Sequence, residues 1–269
     1  MSQSEENFGN VNYWESRYNE FPFTFEWLED YNSLKPHISK IVNEYNLPLN
    51  EINILDCGCG TSEISENLNN DLKINNIYSI DYSSKALEIM KNKFSNSKIN
   101  YKLMDITDLN FKENFFDIII DKGTTDNIYC YKNPLKTIAI YYKEINKVLK
   151  NNGYFLIISH SELNKREINI SNICYLNFEI QTVKLFETFE LNGFGVENKI
   201  NYLFICKKKD NSKYNDEIFN KFLEEIAEKE KLLLENSQIT HGTTSTIKDI
   251  NIEGDDLSLG ESEKKNKNI

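Results

Sequence analysis

Apolar residues come in two rhythms along this chain, and the two alternate. Short apolar runs at residues 52–55, 77–80, 115–120 and 154–159, with a more polar one at 101–106, fit strands buried on both faces. Between them, Ile38, Ile41, Val42 and Tyr45, then Ala86, Leu87, Met90 and Phe94, then Ile138, Tyr141, Ile145 and Leu149 recur at helical spacing. Further helices are expected over 11–18 and 62–72. Strands joined by helical crossovers predict an α/β domain around a parallel sheet. Asn151-Asn152-Gly153 is the expected stop of the helix over 137–149. Residues 178–191 and 200–208 alternate on either side of Asn192-Gly193-Phe194-Gly195, which predicts a closing antiparallel pair. Beyond residue 208, Ile218, Phe219, Phe222, Leu223, Ile226 and Leu233 mark an amphipathic helix over 214–236, packed on the body or on a partner. Residues 237–269 are polar and nearly free of aromatics, the composition of a disordered tail.

Composition narrows the classes. With 269 residues, 39% of them hydrophobic, the chain can build one substantial domain with appendages. The net charge of −11 argues against sequence-independent binding to nucleic acid, which requires a concentrated basic surface, and suits a basic protein partner better. Nine of the 31 basic and fourteen of the 42 acidic side chains fall in residues 209–269, so the acidity is spread and not confined to a tail. No apolar stretch reaches membrane-spanning length, and Met-Ser-Gln-Ser-Glu-Glu lacks the marks of a signal peptide, so a cytoplasmic protein is expected. Five cysteines without repeated spacing fit a reduced compartment. Cys57 and Cys59 lack two further zinc ligands, so packing in a turn is their expected role.

The chemistry gathers where strands end. Asp56-Cys57-Gly58-Cys59-Gly60-Thr61-Ser62-Glu63 reads as strand, glycine turn and helix start, with Thr61 or Ser62 as the cap. A third glycine at position 63 would complete a dinucleotide fingerprint, but Glu63 stands there. Asp56 and Glu63 would repel a pyrophosphate and tolerate a cationic amine. Asp81 ends the second strand, 21 residues beyond Gly60, where an acid can accept hydrogen bonds from ribose hydroxyls, and Ser83 or Ser84 caps the next helix. Asp105 ends the third strand as a candidate acceptor for an adenine amino group, with Ile106 packing on the ring. After the fourth strand, Asp121, Lys122 and Asp126 are the polar residues best placed for substrate, Lys122 having a surface salt bridge as its plain alternative. His160, at the end of the fifth strand, is expected to be a loop residue. Trp14 and Tyr18 share a helical face, and with Trp27 they could do no more than cover the edge of the core.

These residues resemble the class I S-adenosylmethionine methyltransferases, and more narrowly the methyltransferase-like subgroup that contains the elongation factor 1 alpha lysine methyltransferases. Tyr13-Trp14-Glu15-Ser16-Arg17-Tyr18, Phe25-Glu26-Trp27, Gly58 to Glu63, Ile80-Asp81-Tyr82-Ser83, Met104-Asp105-Ile106 and Asp121-Lys122-Gly123-Thr124-Thr125-Asp126 carry the likeness over roughly residues 10–208. It implies a Rossmann-like sheet of seven strands, mostly parallel with the last antiparallel, in the order 3-2-1-4-5-7-6. Residues 1–50 would be an aromatic cap over S-adenosyl-L-methionine, 51–208 the methyltransferase core, 209–236 a helix and 237–269 the tail. The implied cofactor residues are Trp14, Tyr18, Trp27, Gly58, Asp81, Tyr82, Asp105, Ile106 and Lys122, to which the glycine turn adds Asp56 and Gly60. Asp56 restores the general class I acid where the subgroup often has an uncharged residue. The tail lies outside the family pattern.

The implied activity is direct methyl transfer to a lysine of a protein such as elongation factor 1 alpha, by a monomer that binds neither nucleic acid nor membrane. A lysine has a pKa of about 10.4, so the site must favour its neutral form. Asp121 is the expected orienting acid, with Asp126 beside it. A small-molecule methyltransferase and a non-catalytic cofactor-binding protein are the competing readings.

Overall fold

The computed structural model describes residues 8–45, 47–131, 134–161, 178–191, 195–209 and 216–240. Its elements are α1 Val11–Glu20, α2 Tyr31–Glu44, a 3-10 turn Leu49–Glu51, β1 Asn53–Cys57, α3 Ile64–Leu72, β2 Asn76–Asp81, α4 Ser84–Lys93, β3 Asn100–Leu103, β4 Phe116–Lys122, α5 Thr124–Ile128, α6 Pro134–Val148, β5 Leu149–Ser159, β6 Phe178–Leu191, β7 Gly195–Lys208 and α7 Asp216–Thr240. The chain divides into two compact units, one ending at Ala227 and the other beginning at Glu228. In the second unit the end of α7 continues to Thr240, with Leu232 exposed. Residues 241–269 of the expected tail lie outside the described residues.

The first unit is built on a seven-stranded sheet in the order β3-β2-β1-β4-β5-β7-β6. β3, β2, β1, β4 and β5 pair in parallel, and β7 runs antiparallel to both β5 and β6. Consecutive strand residues feed opposite faces, as the pleat requires. Ile54, Ile118, Ile120, Leu156 and Ile158 pack with α2 and α3. Leu55, Ile119, Phe155 and Ile157 pack with α6 and with Phe219 and Ile226 of α7. Ile118, Ile119 and Ile120 are fully buried, and burial of each contributes about 1.5–3 kcal/mol. The long apolar runs of the sequence are thus the centre of the sheet.

Several elements differ from expectation. β3 ends at Leu103, so Asp105 sits in the turn beyond the strand, its Oδ1 accepting from the Thr107 N–H and hydroxyl. That local Asx geometry satisfies the backbone without a ladder. Asn151-Asn152-Gly153 does not stop α6. The helix gives way to β5 at Leu149, and the three residues lie within that strand, with Asn152 at φ 61° and a register shift opposite Phe116/Ile118. The loop expected after β4 contains the short helix α5.

Candidate active site

The strand order reverses between β1 and β4, and in an open parallel sheet the crevice outside the carboxyl ends at that reversal is where ligands bind. The floor is the glycine turn after β1. Asp81 at the end of β2 secures it: Oδ2 accepts from the Gly60 N–H at 2.7 Å and Oδ1 from the Ser83 N–H at 2.8 Å. Ser83 in turn caps α4 through the Ala86 N–H. The Tyr82 N–H is a third backbone donor to this carboxylate, which leaves one lone pair for a ligand hydroxyl. Burial pushes this carboxyl up to about 6, against the pull of its backbone donors.

Asp56 lies in β1, just ahead of the turn. It is buried, accepts from the Ser65 hydroxyl at 2.8 Å, and burial pushes it up to about 6, opposed by the Ser65 bond and by Lys122. Glu63 departs from its expected role beside a cationic ligand. Its Oε1 accepts from the Thr24 hydroxyl and pairs with Lys93, which turns it away from the crevice and lowers its pKa. The expected caps of α3 are only partly seen: Ser62 Oγ accepts from the Ile64 N–H at 3.3 Å.

The stronger partner of that helix start is Glu26, which sequence reasoning named in a motif but gave no role. Glu26 Oε1 accepts from the Glu63 N–H at 2.7 Å, and Oε2 accepts from the Ser62 hydroxyl and pairs with Lys122 Nζ at 2.9 Å. Lys122 also donates to the Trp27 carbonyl at 2.8 Å, and its side chain is 6% exposed. A strap of residues 24–29 is thereby fastened over the glycine turn. Asn201 of β7 adds a further tie, donating to the Leu28 carbonyl and to Glu29 Oε1. Leu28 holds a φ of 62°, a left-handed conformation that costs about 1–2 kcal/mol and persists because these bonds over-determine it. Glu26→Ala is expected to remove about 1–2 kcal/mol of stability, read as a lower thermal midpoint, because Lys122, Ser62 and the Glu63 amide lose one shared acceptor.

Above the turn, Trp14 and Tyr18 of α1 pack against Ala86 and Ile89 of α4. Glu15 accepts from the Ser84 N–H at 2.7 Å and seats α1 on the start of α4. Trp14 meets Tyr18 and Trp27 at ring separations of 5.9 and 6.0 Å, and Arg17 stacks on Trp27, Phe25 and Phe21. The aromatic residues therefore converge on the turn. Tyr82 lies beside Asp81, Asp105 and Tyr131, and Ile106 is buried next to the exposed Asp105.

The two acids expected to act on an acceptor are placed differently. Asp121 is fully buried, and its oxygens accept from the Thr124 and Thr125 N–H groups, the Thr125 hydroxyl and the Tyr141 hydroxyl. Through these donors it fastens the start of α5. Burial pushes its carboxyl up to about 7. Asp126 reaches the end of β5, where it accepts from the Ser159 hydroxyl at 2.6 Å and contacts the His160 ring at 2.7 Å. Cys57 and Cys59 are buried free thiols, and no group of His, Cys, Asp and Glu among the described residues could hold a metal ion.

This donor set suits an adenosyl group bearing a positive centre. It offers acceptors for hydroxyls and an aromatic cover. Lys122 and Lys93 are already matched by Glu26 and Glu63, which leaves the site poorly suited to a pyrophosphate. The comparisons agree with that chemistry. Residues 49–188 match the family described as a methyltransferase domain. The chain is 29% identical over 164 residues to the "eEF1A lysine and N-terminal methyltransferase" of Mus musculus, covering 59% of this chain and 22% of that relative. It is 33% identical over 122 residues to the human "EEF1A lysine methyltransferase 2", covering 44% of this chain and 51% of the relative. The chain thus spans about a fifth of the length of the first relative and half of the second. Among solved structures, the N-methyltransferase NodS of Bradyrhizobium japonicum WM9, in complex with S-adenosyl-L-homocysteine, has a TM-score of 0.51 at 13% identity, covering 76% of this chain and 99% of its own. A chain from the complex of the Haloferax volcanii Trm112 activator with a methyltransferase has a TM-score of 0.52 at 12% identity, covering 77% and 100%. Sheet order, glycine turn and family match together establish that the chain belongs to the methyltransferase-domain family, as a class I methyltransferase whose cofactor is S-adenosylmethionine.

Proposed function

We propose that this methyltransferase modifies a lysine side chain of a protein, elongation factor 1 alpha or an equivalent basic partner. The observation that carries the reading is the acceptor shared by two relatives of very different length, one of which this chain spans by 22% and the other by 51%. Both are named for the same acceptor protein. A net charge of −11 supports a basic protein partner. The reading places the enzyme in the cytoplasm as a monomer, without nucleic-acid or membrane surfaces. Among the described residues no helix is long and apolar enough to cross a membrane.

When bound, S-adenosylmethionine supplies an activated methyl group. The residues divide the work of holding it. Asp81 would accept from a ribose hydroxyl through the lone pair its backbone donors leave open. Asp105 and Ile106 would meet the adenine, with Tyr82 beside them. Trp14, Tyr18 and Trp27 would cover the site and exclude water, and Gly58 and Gly60 let the backbone come close. Lys122 acts through Glu26 and Trp27, holding the cover in place. On the other side of β4, Asp126 lies where an acceptor amine would enter, and a carboxylate there would attract and orient an ammonium group.

Tritiated methyl transfer from S-adenosylmethionine into a cell extract of the source organism, resolved by gel, tests the reading. The expected result is a single labelled band at the size of elongation factor 1 alpha, absent with Asp81→Ala. Label found only in small molecules would replace the protein acceptor with a metabolite.

A further inference from the structure

At the carboxyl end of β5, on the side of β4 away from the glycine turn, an imidazole and a carboxylate meet. His160 Nδ1 lies 2.7 Å from Asp126 Oδ2, and the same oxygen accepts from the His160 backbone N–H at 3.0 Å. The other Asp126 oxygen accepts from the Ser159 hydroxyl at 2.6 Å, and that hydroxyl receives the Ser161 N–H at 3.1 Å. The carboxylate is 10% exposed while the imidazole is 43% exposed, so the pair is rooted in the fold and open at its tip.

The location matters as much as the pairing. Ile158 is the register partner of Lys122, so His160 stands two residues beyond the point where β5 runs beside the lysine that holds the strap. Asp126 is carried by α5, which Asp121 and the positive φ of Gly123 set at the end of β4. The dyad therefore borders the crevice on its acceptor side. An ionised carboxylate can only accept hydrogen bonds, which puts a proton on Nδ1 and leaves the lone pair on Nε2. Among the described residues Nε2 makes no hydrogen bond. A surface ion pair could exist without purpose, but this one orients a single tautomer outward at the strand end that faces the acceptor.

We propose that His160, positioned by Asp126, accepts the proton that the acceptor amine must lose before it can attack. The inference rests on the reading of the acceptor as an amine. In the step, an N–H bond of the ammonium breaks and its electron pair stays on nitrogen. The proton bonds to Nε2, and the resulting imidazolium, with Asp126 against Nδ1, returns it to solvent. Among the described residues, Asp121 is an ionisable group close to this pair, and it has its own donors.

Two measurements test the assignment. In protein labelled with 15N-histidine, with the His160 signal identified by its loss in His160→Gln, the neutral ring should carry its proton on Nδ1. A proton on Nε2 would overturn the proposal without any reference to turnover. For turnover, wild type, His160→Gln and His160→Ala are assayed with tritiated S-adenosylmethionine on purified elongation factor 1 alpha and on the cell extract. Thermal stabilisation by S-adenosylhomocysteine confirms that each variant is folded and binds. The variants should lose about a hundredfold in kcat at neutral pH with KM for the acceptor unchanged. Added imidazole should restore part of the loss in His160→Ala, as a merely structural role would not allow. Variants that match a wild type active on lysine would overturn the role of His160 alone. A wild type that labels no amine in either sample would overturn both the amine acceptor and the role that depends on it.

Discussion

Asp81→Ala is expected to weaken S-adenosylhomocysteine binding at least a hundredfold, measured by titration calorimetry at neutral pH. The carboxylate ties the Gly60 and Ser83 amides across a buried gap, and its loss leaves both donors without an acceptor. Those bonds hold the turn in its binding shape. A charge-assisted bond from a ribose hydroxyl is worth about 1.5–3 kcal/mol, where 1.4 kcal/mol is a factor of ten, so loss of the contact and of the turn's shape together gives the hundredfold. Asp81→Asn, which keeps one acceptor oxygen, should fall between. Acid should imitate the variant. Burial raises the folded carboxyl to about 6, so below that pH it takes up a proton in the free enzyme, and ligand hydroxyls that need the carboxylate must displace it. Affinity is therefore full above pH 7 and falls as pH drops through 6, by roughly tenfold at pH 5. Affinity that stays flat from pH 5 to 8 would remove Asp81 from the ligand.

The second large effect is structural. Gly58 sits at φ 63°, and a Cβ there would lie 2.2 Å from Thr124 Oγ1. That hydroxyl donates to the Cys57 carbonyl at 2.8 Å and links the end of β1 to the start of α5. Gly58→Ala must pay the left-handed penalty of about 1–2 kcal/mol and also push Thr124 off its acceptor, for a total of about 2–4 kcal/mol. A thermal midpoint lower by roughly 10 °C is expected. Adding Thr124→Ala should return the steric part, so the double variant should be more stable than the two single losses added together. Gly60→Ala is a useful contrast: its Cβ would meet Tyr18 Oη at 2.6 Å, the far end of a side chain that can swing aside. The smaller loss should fall on the aromatic cover.

The sheet was legible because each central strand is apolar on both faces and each crossover helix carries one stripe. Asp81 was legible as a strand-end acid following a glycine turn. What misled the reading was competition between neighbours distant in sequence. Glu63 beside the turn looks free to meet a cation, but Lys93, thirty residues on, has it. Asp121 and Asp126 look equivalent in the sequence, yet the four donors of Thr124, Thr125 and Tyr141 bury one, and the short helix they create delivers the other to β5. No local pattern announces α5, which has five residues and no amphipathic stripe. Glu26 was hidden for the same reason, since its value lies in donors from α3 and β4.

The strap over the glycine turn has a consequence for how the protein is made. Its tie at Leu28 comes from Asn201, 173 residues later and fully buried. At about 5–20 residues per second, a ribosome needs roughly ten to thirty seconds to cover that interval. Gly58, Gly60, Asp81, Asp105 and Lys122 are all made within that interval, before β7 exists to add its tie to the cover. The last tie of the cover is therefore a late event in the life of each molecule, conditional on the distal strand having been translated and docked. A chain truncated before that strand would keep the Glu26 and Lys122 ties of the strap and lack those of Asn201.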